Sequence, residues 1–498
     1  MIGPSGETCQ LREHAREIAA VVGLAAAVLA LHMATNSQYD FHRDSLYYLD
    51  SARHPAWGYV DYPPVTPTIA RLSMWLFGLS VWGLRLWPSL AGSMMVVLAA
   101  AIAGELGGQA TARWLAAVGA ATSLVLLGAN WLFQTVSFDQ LVWMGCWWIA
   151  ARLLRTGDSR YWVPLGATIG IGLETKYTVI ALVLGLLAGA LCTMRRRDLA
   201  TPWFWLGAGI ALTIFLPNLV WQVTNGWPSV EYTLNHKSAQ SVDFSPLTFL
   251  VQQLPLIGPV ALPLWTAGLY WLLRDPARRM LGIAALVPLV IYLFVGKSYY
   301  VGPLHPFLIA AGSCALEQWT VERHRWLRPA AAIALTAQAV LLLPIALPVL
   351  PESTMARSPL PSIRKDFADT VGWHDLVTQV TVVYESLSPR DQATAVIVTN
   401  NYGEAGAINS YGGALGLPTA VSGQLSYYYW PPHSLTGPVI AVGMEASFLD
   451  PLFDTCRQVG TISNSYGLRN EEFGRPLMVC RGPKYPLDQL WPRLRTFQ

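Results

Sequence analysis

Long apolar runs alternate with short polar stretches over the first 350 residues of the chain. Eleven of these runs have about the 17 to 25 residues that a helix needs to cross a bilayer. They lie near residues 18–34, 83–104, 114–132, 140–154, 161–174, 177–194, 203–221, 247–273, 280–296, 300–317 and 330–350. The fourth and fifth runs are short for a span, so we expect a merged or broken pair there. The pattern predicts a mainly α-helical, polytopic membrane protein with about 11 transmembrane helices.

The pattern changes after residue 351, where the predicted transmembrane domain (1–351) ends. Residues 352–365 are rich in proline and serine, which is typical of a linker. Residues 366–498 then contain short apolar runs separated by helical stretches, which predict a soluble α/β domain with a small, mostly parallel sheet. The predicted strands are AVIVTN, PTAVSG, PVIAVG and RPLMVCRG, and the predicted helices lie near 373–387, 403–411 and 445–454.

The first long polar stretch, residues 35–80, is predicted to be an outer loop that carries two interfacial helices. The first helix begins at Ser45, and its Leu46 and Leu49 are expected to face lipid. Tyr62 is followed by two prolines, which end any helix because proline lacks an amide donor. Residues 66–77 form the second predicted helix.

Composition and charge agree with a membrane protein and orient it. The 498 residues are 53% hydrophobic and 13% charged, with a mean hydropathy of +0.37, whereas soluble domains are about 25% charged. The net charge of +3 is too small to indicate a nucleic-acid partner.

Arginines concentrate in every second connection, which predicts a cytoplasmic N-terminus and an extracytoplasmic C-terminal domain. These arginines are Arg113; Arg152, Arg155 and Arg160; Arg195, Arg196 and Arg197; Arg274, Arg278 and Arg279; and Arg323, Arg325 and Arg328.

The N-terminal run and the cysteines each leave an alternative open. Arg12 and Arg16 precede the run at 18–34, which we interpret as an uncleaved first helix; the alternative is a cleaved signal peptide. Six cysteines show no metal-binding spacing. Only Cys456 and Cys480 share an outer segment, which predicts a disulfide between them; the alternative is two free buried thiols.

Ionisable residues converge on the outer side in this topology. They are Asp44, Asp61, Asp139, Glu174, Lys176, Lys297 and His305. Because ionisable groups near a bilayer are costly, each is a candidate functional residue. Asp44 follows His42 and Arg43, and its carboxylate suits a general base that takes the proton of an acceptor hydroxyl. The alternative is an N-cap for the helix that begins at Ser45.

Asp139 and the lysines also have two interpretations each. Asp139 opens a helix, where a carboxylate complements the helix dipole, or it shares a divalent cation with Asp44 through oxygen ligands. Lys176 and Lys297 offset the charge of a phosphate-bearing substrate, or they extend toward lipid head groups. A metal ion is therefore a candidate cofactor, with Asp44 and Asp139 as its ligands.

Several co-ordered blocks carry a resemblance to a known family between about residues 17 and 350. They are FHRDSLYYLDSARHPAWGYVDYPPVTPTIARL, LRLWPSLAG, FQTVSFDQLVW, GLETKYT, FLPNLVWQVTNGWPS and GKSYYVGPLHP. This series resembles the bacterial branch of the dolichyl-phosphate-mannose protein mannosyltransferase and aminoarabinose transferase superfamily, glycosyltransferase families 39 and 83. NYGEAGAINSYG, SGQLSYYYWPP and NEEFGRPLMVCRGP resemble the external domain of bacterial members.

The resemblance implies a C-type glycosyltransferase fold, a polyprenyl-phosphate sugar donor and an inverting displacement. Asp44 matches the catalytic acidic residue of the first loop, Asp139 the second acidic residue, and Lys176 a basic residue near the donor phosphate. Asp61 and Tyr62 are candidate substrate-binding residues that fall where the family has an acidic and a basic or His residue before its Pro-Pro pair, so Tyr62 departs from the charged pattern.

The block GKSYYVGPLHP supplies three further substrate-binding candidates, Lys297, Tyr300 and His305. A departure from the family occurs at Ser45, where many members have a second carboxylate. Without this second carboxylate, the chain has one fewer candidate oxygen ligand for a metal ion.

The predicted function is transfer of a glycosyl group from a polyprenyl-phosphate-linked sugar to an extracytoplasmic lipid, glycan or protein, in the plasma (inner) membrane of a bacterium. The alternatives are a multi-pass transporter of lipid carriers or solutes, and a catalytically inactive homologue that binds the carrier. Transporters place coupling charges near the bilayer midplane, often in repeated halves, and the sequence has neither feature. Enzymatic turnover distinguishes the glycosyltransferase from the inactive homologue.

Overall fold

The computed structural model describes residues 4–240, 245–295 and 297–497, without the side chains of 4–11, 236–240 and 295. The chain divides into two compact units. The helical unit comprises Met1–Thr35, Arg85–Val220 and Asp243–Leu347, and the mixed unit comprises Asn36–Leu84, Trp221–Val242 and Pro348–Gln498. This division differs from the expected one, because the C-terminal segment groups with the first outer loop and with a second loop.

The secondary structure is mainly helical. In chain order the α-helices are α1 (Pro4–Thr35), α2 (Arg43–Arg53), α3 (Val65–Phe77), α4 (Val81–Glu105), α5 (Ala110–Ala121), α6 (Leu124–Asn130), α7 (Thr135–Thr156), α8 (Trp162–Leu173), α9 (Val179–Leu191), α10 (Pro202–Thr224), α11 (Pro228–Gln240), α12 (Pro246–Ile257), α13 (Leu262–Arg274), α14 (Arg279–Val295), α15 (Leu304–Trp319), α16 (Leu327–Ala346), α17 (Glu352–Ala356), α18 (Leu360–Ile363), α19 (Lys365–Ala368), α20 (Trp373–Glu385), α21 (Pro389–Gln392), α22 (Tyr402–Tyr411), α23 (Ala446–Leu449) and α24 (Leu487–Leu490). Short 3-10 helices include Met194–Ala200, Ser298–Val301 and Leu425–Tyr429.

The predicted count of about 11 spans is not confirmed, because fewer helices of the described residues are long and apolar enough to cross a bilayer. Among the described residues, four helices are long and apolar enough to cross a bilayer: Arg12–Thr35, Val81–Glu105, Pro202–Thr224 and Leu327–Ala346. Three bent pairs raise the number to seven if each pair is one span. The bends follow α5, α9 and α12, at 51°, 111° and 110°, whereas the break was expected at the fourth and fifth runs. There, α7 is one continuous helix of 22 residues that is separate from α8.

Small residues let helices of the helical unit approach closely. A Cβ built on Gly312 would lie 1.9 Å from the carbonyl oxygen of Leu264, and one on Gly268 would lie 2.1 Å from that of Leu308. Only glycine permits this backbone contact between α13 and α15. The core of the unit contains many alanines and the buried indoles of Trp143 and Trp147.

The mixed unit contains one five-stranded sheet, with strands β1 (Val396–Thr399), β2 (Ala420–Ser422), β3 (Val439–Val442), β4 (Phe453–Thr461) and β5 (Pro476–Pro483). The order is β2-β1-β3-β5-β4. β1 pairs in parallel with β2 and β3, and β5 pairs antiparallel with β3 and β4. The sheet is therefore mixed, and the prediction of a mostly parallel sheet is wrong. β4 was not predicted because this edge strand is largely exposed and polar, so it lacks an apolar run. The helix expected at 445–454 covers only Ala446–Leu449.

The predicted disulfide pair lies between the last two strands. Cys456 on β4 is in register with Cys480 on β5, and the structure joins them by a disulfide. The residues before the sheet, expected to form a linker, instead form short helices α17 and α18 that bury Met355 and Leu360.

The first predicted interfacial helix is buried in protein rather than facing lipid. Leu46 and Leu49 of α2 are 0% and 1% exposed, because the small residues of α22 pack against them. A Cβ built on Gly406 of α22 would lie 2.7 Å from Cβ of Leu46. In contrast, α3 exposes Leu72, Trp75, Leu76 and Phe77, as an interfacial helix would.

Candidate active site

Asp44 lies in the first turn of α2 and is not its N-cap. The N-cap is His42, whose Nδ1 accepts a hydrogen bond from the Asp44 N–H at 3.2 Å. Oδ1 of Asp44 accepts a hydrogen bond from the Tyr402 hydroxyl at 2.8 Å. The Asp44 side chain is 31% exposed, so this carboxylate is both oriented by the protein and accessible to solvent.

Tyr402 is held in place by the start of its own helix. Asn401 and Glu404 form a capping box: the Asn401 side chain accepts from Glu404 N–H at 3.0 Å, and the Glu404 carboxylate accepts from Asn401 N–H at 3.1 Å. The Tyr402 ring stacks on Tyr47 with centroids 4.9 Å apart, and the Arg43 guanidinium lies 4.9 Å from its centroid. These contacts aim the Tyr402 hydroxyl at Asp44.

Three carboxylates surround the buried His42. Its Nε2 lies 3.7 Å from Asp369 and 3.9 Å from Asp366, and its Nδ1 lies 3.9 Å from Oδ2 of Asp44. Burial lowers the pKa of His42, but the charge of Asp44 and the two other carboxylates outweigh burial and leave the pKa raised. Nδ1 accepts the Asp44 N–H only while this nitrogen carries no proton. Protonation of His42 to the charged imidazolium would therefore remove the capping hydrogen bond.

Asp61 and Tyr62 lie in the same unit as Asp44 but in different surroundings. The Tyr47 hydroxyl donates to Oδ1 of Asp61 at 3.0 Å and accepts from Ser426 N–H at 2.9 Å, so Asp61 is linked to Asp44 through the stacked rings of Tyr47 and Tyr402. Tyr62 is buried, and its hydroxyl bonds to the Ser51 hydroxyl at 2.7 Å. Of these two residues, Asp61 is partly exposed to solvent and Tyr62 is not.

A second carboxylate of α2, Asp50, holds the site together. It is buried and pairs with Arg53, with Asn409 of α22 at 2.6 Å and with the Tyr427 hydroxyl. Burial raises the pKa of Asp50 despite these partners. Ser45 is also buried, so a carboxylate at this position would enter the interior, and the position does not line the accessible face beside Asp44.

Asp139 lies in the helical unit, at the fifth residue of α7. Gln134 occupies the N-cap position without a side-chain capping bond, and Asp139 lies one residue beyond the first turn, where the helix dipole acts most strongly. Its Oδ1 accepts from the Trp143 indole at 3.1 Å, and its Oδ2 accepts from the Thr178 hydroxyl at 2.8 Å. Both oxygens of this buried carboxylate are therefore engaged within the protein.

Lys176 lies in the same part of the helical unit as Asp139. Its Nζ is 5.0 Å from the Tyr300 ring centroid and 5.4 Å from that of Tyr299, and it acts electrostatically on Asp139. The Lys297 carbonyl accepts from Tyr300 N–H at 3.0 Å. This arrangement brings Asp139, Lys176, Lys297 and Tyr300 into one neighbourhood.

His305 and Glu174 are buried in the helical unit. His305 is completely buried, and its Nδ1 accepts from the Trp265 indole at 3.1 Å. Glu174 is also buried.

Asp44 and Asp139, the two metal ligands considered from sequence, belong to different units, and each oxygen of Asp139 accepts one hydrogen bond within the helical unit. Among the described residues, no group of three or more His, Cys, Asp or Glu side chains is placed to hold a metal ion.

Sequence reasoning missed Tyr402, Asp366 and Asp369 as neighbours of the Asp44 site. The Asn401 to Glu404 spacing is a recognisable capping box and predicts the start of a helix. Nothing in that local signal reveals that the intervening tyrosine reaches a carboxylate 358 positions earlier.

Comparisons with known proteins give a family-model match over part of the chain and a similar fold in solved structures. Residues 61–221 match the family model described as dolichyl-phosphate-mannose-protein mannosyltransferase. ArnT from Cupriavidus metallidurans in the apo state is similar in structure, with a TM-score of 0.59 and 16% identity over 93% of this chain and 99% of that chain. The same protein bound to undecaprenyl phosphate gives a TM-score of 0.57 and 17% identity over the same shares.

Arabinofuranosyltransferase AftD from Mycobacteria is similar with a TM-score of 0.51 and 14% identity, over 93% of this chain and 41% of AftD. A comparison with curated proteins finds no significant match.

Proposed function

We propose that this chain, a membrane glycosyltransferase with the C-type fold, transfers one sugar from a polyprenyl-phosphate carrier to an acceptor outside the cytoplasm. The family match over residues 61–221 supports a lipid-linked donor. ArnT, which shares the fold, has been solved with undecaprenyl phosphate bound. The distribution of arginines supports a cytoplasmic N-terminus and an outward-facing mixed unit.

In the proposed reaction Asp44 is the general base. It takes the acceptor hydroxyl proton as the acceptor oxygen attacks the anomeric carbon from the face opposite the phosphate. The new carbon–oxygen bond forms as the bond from that carbon to the phosphate oxygen breaks, and the configuration inverts. The observation that carries this assignment is the geometry of Asp44: an accessible carboxylate with Oδ1 oriented by the Tyr402 hydroxyl.

The departing polyprenyl phosphate needs positive charge. Lys176 and Lys297 are the proposed sources, because ammonium groups form charge-assisted bonds to phosphate oxygens. Asp139 acts on Lys176 electrostatically, and its two hydrogen bonds hold it fixed. We propose that Asp139 positions Lys176, and that Asp61, Tyr62, Tyr300 and His305 shape the substrate sites.

The test measures release of polyprenyl phosphate from a panel of polyprenyl-phosphate sugars, with and without chelator. Asp44→Asn keeps the shape of the side chain and removes the base, so turnover should fall by about 10²- to 10⁴-fold. The matched control is Asp391→Asn, which removes a carboxylate of the same unit that pairs with Arg481 and should leave turnover unchanged.

Full activity of the Asp44 variant would reject its assignment as the base. A wild-type protein that binds polyprenyl phosphate but turns over no donor would instead indicate a carrier-binding homologue. Movement of the intact donor across a vesicle membrane without release of polyprenyl phosphate would indicate a transporter.

A further inference from the structure

A large cavity lies in the helical unit, away from every residue assigned to sugar transfer. Its volume is about 1360 Å³, larger than the roughly 300–1,000 Å³ of typical small-molecule sites. Its lining comes from α1, α4, α5, α7 and α16 and the residues just before α16. The residues of one part of the cavity are charged and those of another part are apolar, so its occupant should have both characters.

The charged part is built from the ends of these helices. Five arginines and two glutamates line it, which leaves an excess of three positive charges; they are Arg113, Arg152, Arg155, Arg325, Arg328, Glu17 and Glu105. The arginines come from three separate elements: the start of α5, the last turns of α7, and the start of α16 with the residues before it. Their convergence in one cavity is a product of the fold.

Neighbouring groups hold several of these arginines in position. Arg113 bonds to Glu17 at 3.2 Å and Arg152 to Glu105 at 3.0 Å, and Arg152 also donates to the Tyr161 hydroxyl at 2.7 Å. A guanidinium has five N–H donors, so these bonds occupy only some of them. The remaining donors suit the oxygens of a phosphate, which guanidinium groups bind in pairs.

The apolar part belongs to helices that are long enough to span a bilayer. Ile18 and Val22 of α1, Val97 of α4 and Ile333 of α16 line the cavity and are exposed. Their helices are three of the four that qualify as spans among the described residues. A bilayer crossed by these helices would reach these side chains, and acyl chains are the apolar groups that it would supply.

We propose that this cavity binds an anionic glycerophospholipid, whose phosphate headgroup contacts the arginines and whose acyl chains lie along α1, α4 and α16. Basic pockets between transmembrane helices are suited to anionic headgroups. A soluble anion would satisfy the arginines but not the exposed apolar wall. The two-chain lipid fits both the excess charge and a volume above that of ordinary ligand sites.

The experiment uses the full purified protein in detergent micelles, with phosphatidylglycerol or phosphatidylcholine added and bound lipid counted by native mass spectrometry. Wild-type protein should retain phosphatidylglycerol in preference to phosphatidylcholine. The double variant Arg155→Gln with Arg325→Gln should weaken phosphatidylglycerol binding by about 25-fold, since each basic residue contributes about fivefold.

The control variant is Arg196→Gln with Arg197→Gln. It removes the same two positive charges from exposed positions outside the cavity and should bind phosphatidylglycerol like the wild type. Thermal unfolding without lipid verifies that both double variants are folded. If the first variant is unstable, Ala101→Trp serves instead, because it fills the apolar wall and leaves every arginine in place.

Two results would overturn the proposal. One is equal retention of phosphatidylglycerol and phosphatidylcholine by the wild type, or equal loss in the two double variants. The other is displacement of phosphatidylglycerol by equimolar polyprenyl phosphate, which would assign the cavity to the carrier lipid. Loss of turnover in Asp44→Asn has no bearing on either result.

Discussion

The hydrogen bond from Tyr402 to Asp44 gives a direct test of how the mixed unit supports catalysis. Tyr402→Phe removes the 2.8 Å bond to Oδ1 of Asp44 but retains the ring that stacks on Tyr47 and lies beneath the Arg43 guanidinium. The helix and its capping box remain. The only group lost is the hydroxyl that orients the proposed base.

The magnitude follows from the geometry. Hydrogen bonds to charged groups contribute roughly 1.5–3 kcal/mol. Water can replace part of this bond because the Asp44 side chain is 31% exposed, so the lower half of the range applies. At a factor of ten for about 1.4 kcal/mol, kcat/KM should fall by roughly 10- to 40-fold. The loss should appear in kcat with little change in KM, because Tyr402 acts on the base and not on the substrate.

Tyr411→Phe is the matched control. Tyr411 is on the same helix and donates to another aspartate of the first loop, Oδ1 of Asp40 at 2.5 Å. Both variants remove one tyrosine–aspartate bond, but only Tyr402→Phe touches the base. Initial rates of polyprenyl phosphate release measure the difference. Unchanged kcat/KM in Tyr402→Phe, or an equal loss in Tyr411→Phe, would refute a positioning role for Tyr402.

Two further predictions concern stability. Burial, and then the charge of Glu472, raises the pKa of Glu404 to about 8; the unfolded chain therefore releases this proton at lower pH than the folded chain, and stability falls as pH rises from about 4.5 toward 8. Glu404→Gln retains a capping side chain and should flatten this slope in thermal unfolding measured at several pH values; a slope as steep as in the wild type would contradict the pKa. Gly406→Ala adds a Cβ 2.7 Å from Cβ of Leu46 and should lower the free energy of unfolding by about 1–3 kcal/mol. The control Gly413→Ala adds a Cβ that meets nothing within 4 Å and should leave the free energy of unfolding unchanged. Equal midpoints in chemical unfolding of the two variants would show that α22 tolerates the added methyl group.

The hydrophobic pattern and the co-ordered motifs were sufficient to predict the fold class and a glycosyltransferase activity. Apolar runs long enough for a bilayer predicted a helical membrane protein, and the blocks around Asp44, Asp139 and Lys176 predicted a glycosyltransferase of the C-type fold. The mainly helical fold is confirmed by its similarity to ArnT, and the family match over residues 61–221 supports the predicted activity. These properties are local, since apolar periodicity and motif order can be read within one segment. The number of spans was less predictable, because bends such as that between α12 and α13 depend on packing.

The surroundings of Asp44 depended on contacts between segments far apart in sequence. Leu46 and Leu49 read as lipid-facing because an amphipathic helix shows the same pattern whether lipid or protein covers it. The presence of α22, more than 350 residues later, decides that protein covers them. For the same reason β4 was missed, since an exposed edge strand is defined by its pairing with β5 and not by its own residues.

Local residue chemistry thus identified Asp44 as the candidate base and Cys456 with Cys480 as a pair. Only the folded chain brings Tyr402 to Asp44, gives His42 the capping position and engages both oxygens of Asp139. A carboxylate's role depends on which donors reach its oxygens and how far water reaches it. Those are properties of the tertiary structure, because the donors come from segments far away in sequence, and the residues next to the carboxylate do not determine which distant segment will reach it.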